Sequence, residues 1–211
     1  MPFLVRHGES TGNQNACLQG ARIGGTLSGR GRQQSFATAL YLFEAFEELR
    51  RGNVLLVSSP STRALETAAP IAKRLNCAIE TDHGLEELDF GEWSGTLVAD
   101  LESDAAYQRW KADPWARSPP QGETLAQVRS RMWEATSRYV TRATSANRPL
   151  VLVTHFFPLM SLFETLKPGT PVRCDNASIS RFEVTDTGWA FSLVNEVRHL
   201  NQAAPVPVRY V

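Results

Sequence analysis

Apolar residues follow one another without polar interruption in three short runs, Pro2–Val5, Val54–Val57 and Leu150–Val153. Runs of this length, rich in Val, Leu and Phe and bounded by polar or turn residues, predict strands buried on both faces. A segment with helical periodicity follows each of them. After the first come Gly-rich turns and then Ser28–Arg51, in which Phe36, Leu40, Phe43 and Phe46 recur at helical spacing. After the second comes Thr62–Leu75, with Leu65, Ala68, Ala69 and Ala72 on one face. After the third comes Pro158–Leu166, where a proline in the first turn removes no helical hydrogen bond. Buried strands alternating with helices predict an α/β chain whose parallel sheet is covered on both sides.

Glu123–Ala146 predicts another long amphipathic helix, with Leu125, Val128, Met132 and Tyr139 facing the core. Ile179–Val184 and Trp189–Val194 flank Asp186-Thr187-Gly188 and predict a closing hairpin. Ser103–Gly122 is the least regular stretch, with Trp110, Trp115, Pro114, Pro119 and Pro120. No repeat or linker divides the chain, so residues 1–200 are expected to form a single domain. Residues 201–211 carry two prolines and are expected to be a flexible tail.

Composition narrows the function. The 211 residues are 42% hydrophobic and 21% charged, which is ordinary for a globular chain, and the formal net charge is zero. A chain without excess positive charge offers no overall field for nucleic acid or an anionic membrane, and neither is expected as a partner. Three lysines (Lys73, Lys111, Lys167) among 22 basic residues leave the rest as arginine, whose planar fork suits phosphate and carboxylate. Cys17, Cys77 and Cys174 lie far apart with no CxxC spacing, which fits a reducing compartment better than a disulfide scaffold. The opening MPFLVRHGES lacks the pattern of a signal peptide, and no apolar run approaches the ~20 residues needed to span a bilayer. A soluble cytoplasmic protein is the expectation.

The informative residues are those that follow the strands. The first run leads into Arg6-His7-Gly8-Glu9-Ser10, the second into Ser58-Ser59-Pro60-Ser61-Thr62-Arg63, the third into Thr154-His155. Ligands of open α/β sheets bind outside the carboxyl ends of the strands, so two arginines and two of the four histidines should meet in one crevice. Such a cluster suits a phosphoryl group. Each charge-assisted hydrogen bond from an arginine is worth about 1.5–3 kcal/mol net, and stabilising charge on the transferring oxygens is most of the catalytic task. A neutral imidazole at a strand end can attack phosphorus and carry the group covalently. Nearby arginine charge lowers its pKa, and a partner on the other ring nitrogen fixes its tautomer. Nothing in this scheme calls for a metal or cofactor. A proton donor for the leaving oxygen must come from the acidic stretch Asp82–Gly95. Composition alone does not choose among Glu86, Glu87, Asp89 and Glu92, although a carboxyl beside a bound dianion is pushed towards its protonated form.

Together these motifs resemble the histidine phosphatase (phosphoglycerate mutase-like) superfamily. Arg6-His7-Gly8-Glu9-Ser10 with Asn13 and Gln19-Gly20 is similar to its opening signature. Ser58-Ser59-Pro60 with Arg63-Ala64 and Thr67-Ala68 is similar to its second motif. Leu85–Gly95 resembles the third and Val153-Thr154-His155 the fourth, in the family's order and across about residues 2–195. The resemblance implies a three-layer α/β/α sandwich on a mostly parallel central sheet. It implies His7 as the phosphorylated nucleophile, with Arg6, Arg63 and His155 completing the phosphate pocket. It implies Glu87 as proton donor, and Asn13 and Gln19 as secondary phosphate contacts.

Two positions depart from the family pattern. Phe156 and Phe157 follow the second histidine where small residues are usual; Phe156 is expected to contribute to the substrate wall, with one of the pair buried. Gly24-Gly25-Thr26 stands where many members carry an acidic residue. His83 and His199 are read as structural or exposed, and Cys17, between motif positions, as a passive small residue in preference to one that lines the site. Trp110 and Trp115 are read with equal weight as a substrate-selecting cap or as anchors of a loop. The expected activity is a metal-independent phosphatase acting on a small phosphomonoester. A phosphoglycerate mutase is the first alternative, disfavoured because Ser103–Gly122 is short and rich in Trp and Pro. A phospho-ligand binding protein with little turnover is the second, motivated by Phe156-Phe157. The closing hairpin also offers an edge through which a sheet can extend across a homodimer.

Overall fold

The structure is a computed structural model describing residues 2–170, 172–185 and 188–200. The tail 201–211 and hairpin residues 186–187 lie outside the described residues. The chain opens with β1 (Pro2–Arg6), the short α1 (Thr11–Gln14), α2 (Gly29–Ala45), α3 (Glu47–Arg50) and β2 (Leu55–Ser58). It continues through α4 (Thr62–Leu75), β3 (Ile79–Thr81), α5 (Val98–Leu101), α6 (Ala105–Ala112) and α7 (Leu125–Ser145). It closes with β4 (Leu150–Thr154), α8 (Phe156–Leu166), β5 (Ile179–Thr185) and β6 (Gly188–Glu196).

The described strands form one sheet in the order β3-β2-β4-β1-β5-β6. The first four run parallel, and the β5–β6 hairpin adds antiparallel to β1. Successive side chains of a strand point to opposite faces, and here both faces are apolar because both are covered. Leu4, Val57, Leu150 and Leu152 pack against Met132, Ala135 and Tyr139 of α7 and Leu159, Leu162 and Phe163 of α8. Phe3, Val5, Leu56, Val151 and Val153 face Ala39 and Leu42 of α2 and Ala64, Ala68 and Ile71 of α4. This is the expected three-layer α/β/α sandwich.

Three expectations need correction. The segment read as one helix, Ser28–Arg51, is two, because Phe46 takes an extended conformation (φ −123°, ψ 103°) between α2 and α3. Within it, Phe36 is 61% and Leu40 44% exposed, while Gly31, Ser35, Thr38, Ala39 and Leu42 are buried. The reason lies in close packing: a Cβ on Gly8 would meet the Gly31 carbonyl, and one on Gly31 the Glu9 carbonyl. Small residues let α2 press on the loop after β1, which turns Phe36 and Leu40 outward. The third correction is α6, which forms inside the stretch read as least regular. Asp104 starts it by accepting from the Ala106 and Tyr107 amides, and Tyr107 and Trp110 share a buried face one turn apart.

That buried face belongs to a third apolar cluster above the carboxyl ends of the strands. It joins Leu88, Phe90, Trp93, Leu101, Tyr107, Trp110, Leu125 and Val128, with Phe157, Met160 and Trp115 against it. It roofs the end of the sheet where the strands deliver Arg6-His7 and Thr154-His155.

Candidate active site

The backbone ladder sets the spacing of the two imidazoles. Register between β1 and β4 pairs Arg6 with Thr154, and the His7 amide donates to the Thr154 carbonyl at 3.0 Å. His7 and His155 are therefore next in register, and their ring centroids lie 5.0 Å apart, close to the ~4.8 Å spacing of adjacent strands. The His7 carbonyl accepts from the Ala177 amide (3.0 Å) and from Asn176 Nδ2 (3.2 Å).

His7 is 2% exposed. Its Nδ1 lies 2.7 Å from the Gly8 carbonyl, which can only accept, so Nδ1 carries the proton and Nε2 keeps its lone pair. Burial, followed by the charges of Arg63 and Arg6, holds the His7 pKa well below 6.5 against the pull of the Gly8 carbonyl. The ring is neutral at pH 7. The Gly8 amide donates to Thr67 Oγ1 (3.0 Å), whose hydroxyl donates to the Arg63 carbonyl (2.8 Å). The turn after β1 and the first turn of α4 are thereby locked together.

Arg63 is buried to 1% exposure. Its Nη1 and Nη2 donate to the carbonyls of Ile23 (3.0 Å) and Gly20 (2.9 Å). Arg6 donates through Nη1 to the Cys174 carbonyl at 2.5 Å, lies over the Phe156 ring at 5.3 Å, and leaves a buried Nε without a partner among the described residues. A buried donor with nothing to donate to is costly, and an anion in the cleft would satisfy it. Burial lowers the pKa of both arginines, and the nearby Glu87 carboxylate opposes that shift.

These groups converge on a cleft of about 150 Å³ lined by Arg6, His7, Asn13, Gln19, Arg63 and Glu87, with Cys17, Leu18, Gly20, Phe90, Phe156 and Phe157. At ~30 Å³ per water, that is room for a small anionic group. Among the four acidic candidates, Glu87 alone reaches it. Glu86 pairs with His83, Asp89 with Arg22, and Glu92 accepts from Gln121. Glu87 Oε1 accepts from the Leu88 (2.9 Å) and Phe157 (3.1 Å) amides, and Oε2 from the Phe156 amide (3.1 Å). Its carboxylate thus caps the N-terminus of α8.

His155 is fully buried beside His7 but is not among the residues lining the cleft. Its Nε2 meets Ser59 Oγ at 2.8 Å and Ser61 Oγ at 3.2 Å, and its buried Nδ1 has no partner among the described residues. Burial, then Arg63, His7 and Arg6, lower its pKa well below 6.5. Asn13 lines the cleft and also caps α1, its Oδ1 accepting from the Ser10 amide (3.0 Å) and Asn176 (3.1 Å). Gln19 is seated because Gly12 and Gly25 lack side chains; a Cβ at either position would overlap its amide group. Neither phenylalanine is fully buried, contrary to the expectation for one of the pair: Phe156 and Phe157 are both half-buried wall residues, because both face the cleft. Trp110 stands one layer back, edge-on to Phe90 (5.7 Å) and Phe157 (6.1 Å), and Trp115 lies under Arg129. Both tryptophans anchor the roof without reaching the cleft.

A family model for the histidine phosphatase superfamily (branch 1) matches residues 3–197. The chain belongs to the histidine phosphatase superfamily. Among its relatives, glucosyl-3-phosphoglycerate phosphatase of Mycolicibacterium vanbaalenii is 32% identical over 80% of this chain and 74% of its own length. Phosphoserine phosphatase 1 of Hydrogenobacter thermophilus is 29% identical over 95% of this chain and 94% of its own. The solved structure of Bacillus stearothermophilus YhfR superposes with a TM-score of 0.82 at 26% identity, covering 94% of this chain and 98% of that one. As a histidine phosphatase, the chain is a phosphomonoester hydrolase by family.

Sequence reasoning missed Cys174 and Asn176, which support Arg6 and His7 across the sheet from a segment without a motif. They act through a backbone carbonyl and a side-chain amide, and nothing in the sequence marks either. Leu18 and Phe90 were also missed; Phe90 sits within the third motif and Leu18 just before Gln19, and their place on the wall comes from the roof's packing.

Proposed function

We propose that the protein hydrolyses small phosphomonoesters through a phosphohistidine on His7, and the observation that carries this is the hydrogen bond from His7 Nδ1 to the Gly8 carbonyl. It leaves Nε2 as a neutral, fixed nucleophile beside two buried arginines and one carboxyl group. Nε2 attacks phosphorus as the P–O ester bond breaks, and the Glu87 carboxyl, which takes up the proton of a monoanionic substrate, gives it to the departing oxygen. Arg6 and Arg63 hold the charge on the transferring oxygens, with Asn13 and Gln19 as further contacts and His155 behind His7. Water then loses a proton to Glu87 and attacks phosphorus, the P–N bond breaks, and inorganic phosphate leaves. His7 and Glu87 regain their starting states.

The wall of Leu18, Phe90, Phe156 and Phe157 supports an alcohol with an apolar part. No helix of the described residues is long and apolar enough to cross a membrane. The three cysteines are free, in keeping with a reducing cytoplasm. The test is phosphate release, with EDTA present, from p-nitrophenyl phosphate and a panel headed by the compounds in the relatives' names, glucosyl-3-phosphoglycerate and phosphoserine. Turnover should persist in EDTA and vanish in His7→Ala; full turnover by that variant would sink the mechanism. Labelled phosphoryl retained on His7 with isomerised 3-phosphoglycerate would make the chain a mutase. Phosphomonoester binding without release would make it a binding protein.

A further inference from the structure

Arg131 of α7 uses every donor it has. Nε and Nη2 donate to Glu123 Oε1 (3.0 Å) and Oε2 (2.9 Å) as a fork. Nη1 donates to the carbonyls of Gly84 (3.2 Å) and Glu86 (2.6 Å), and Nη2 to that of Glu87 (2.9 Å). A guanidinium has five N–H groups, and all five are engaged. Glu123 is equally committed: Oε2 also accepts from the Asp89 amide (3.0 Å), and its own amide donates to the Asp89 carbonyl (2.9 Å). The loop is pressed on the helix as well, since a Cβ on Gly84 would lie 2.7 Å from that of Ala135.

The loop held in this way, residues 84–89, has Glu87 at its centre. Neither Arg131 nor Glu123 lines the cleft, and among the described residues the Glu87 side chain is held by other groups, the Leu88, Phe156 and Phe157 amides. The geometry points to Arg131 and Glu123 as positioning residues that set the proton donor by fixing its backbone on both sides. This rests on the phosphohistidine reading. Lysine cannot replace the arginine, because a single ammonium cannot reach three carbonyls and fork a carboxylate.

A positioning role predicts a signature that general damage to the fold lacks. p-Nitrophenolate leaves without needing a proton, whereas the alkoxide of an alkyl phosphomonoester needs one. Arg131→Lys should therefore lower kcat/KM for an alkyl phosphomonoester of the panel on the order of ten- to a hundredfold. For p-nitrophenyl phosphate the loss should stay within about threefold, matching the pattern of Glu87→Gln. In a Glu87→Gln background, Arg131→Lys should add no further loss on the alkyl substrate, because both changes remove one function. Thermal melts would accompany the assays. If Arg131→Lys does not fold, Glu123→Gln carries the same test, since it keeps an acceptor for the Asp89 amide and loses the charged fork.

Equal losses on the two substrates, or a full further loss in the Glu87→Gln background, would overturn the positioning role. Turnover surviving in His7→Ala would instead remove the phosphohistidine reading, whatever Arg131 does. An inactive His7→Ala with no difference between leaving groups in Arg131→Lys would sink only the positioning role.

Discussion

Acidification from pH 7.5 to 5.5 should destabilise the fold by about 3 kcal/mol through His7 and His155 alone. Both rings are buried, and both are held neutral well below pH 6.5, first by burial and then by the arginine charge nearby. In the unfolded chain each regains a pKa near 6.5 and is about nine-tenths protonated at pH 5.5. The unfolded state then binds more protons than the folded one, so stability falls as pH falls through the unfolded value. Each ring contributes about 1.4 kcal/mol at pH 5.5. His199, lowered by burial, adds in the same direction. Carboxylates such as Glu80 and Glu196, lowered first by hydrogen bonds from Arg142 and Arg198, lose their contribution only in more acidic solution, as pH falls below the unfolded carboxylate range near 4. The assay is urea unfolding followed by tryptophan fluorescence at the two pH values, with m checked for constancy. His7→Asn should shrink the pH dependence by about 1.4 kcal/mol. A flat stability between pH 7.5 and 5.5, or an undiminished dependence in the variant, would refute the reasoning.

Other perturbations give equally direct readings. Gly25→Ala places a methyl group on the Gln19 amide at a backbone φ of +31°; we expect a loss of about 1–2 kcal/mol in stability and a raised KM, and wild-type values for both in melts and steady-state kinetics would be contrary evidence. Arg63→Lys keeps a positive charge but cannot hold the Gly20 and Ile23 carbonyls together, so initial rates should show kcat/KM down by about a hundredfold; activity within twofold of wild type would count against Arg63 as a phosphate-holding group. Phe157→Ala removes a ring wedged against Phe90 and Trp110. It should cost about 2–3 kcal/mol in urea unfolding and lower KM for bulkier aryl phosphates, and an unchanged substrate order would argue that the ring is not part of the wall.

The sandwich was legible because its central strands are apolar on both faces, as at Phe3-Leu4-Val5 and Leu150–Val153, and few other arrangements produce such runs. The outward turn of Phe36 and Leu40 was not legible. Helical spacing identifies a face but not which face is buried, and that was decided by Gly8 and Gly31 allowing backbone to touch backbone. The strand β3 has three residues, none fully buried, too few to carry a pattern, and α6 was hidden among tryptophans and prolines. In the site, strand-end chemistry located Arg6, His7, Arg63 and His155 from the residues alone. The acidic stretch offered four carboxylates; the family resemblance singled out Glu87, and of the four it is the one that lines the cleft. Support from the Cys174 carbonyl and the Asn176 amide left no trace in the sequence, because backbone acceptors are the same at every residue.

The two imidazoles are spaced by a peptide ruler. Their 5.0 Å separation follows from Arg6 pairing with Thr154 across adjacent parallel strands, a dimension that no side chain in the roof helps to set. The spacing of the imidazoles is consequently set apart from the roof, whereas Glu87, between Glu86 and the roof residue Leu88, is not. The roof over the strand ends can be lengthened or exchanged without altering the distance between the two rings. A lineage carrying this fold can therefore vary Leu18, Phe90, Phe156 and Phe157 along the cleft wall while inheriting the spacing of the two imidazoles.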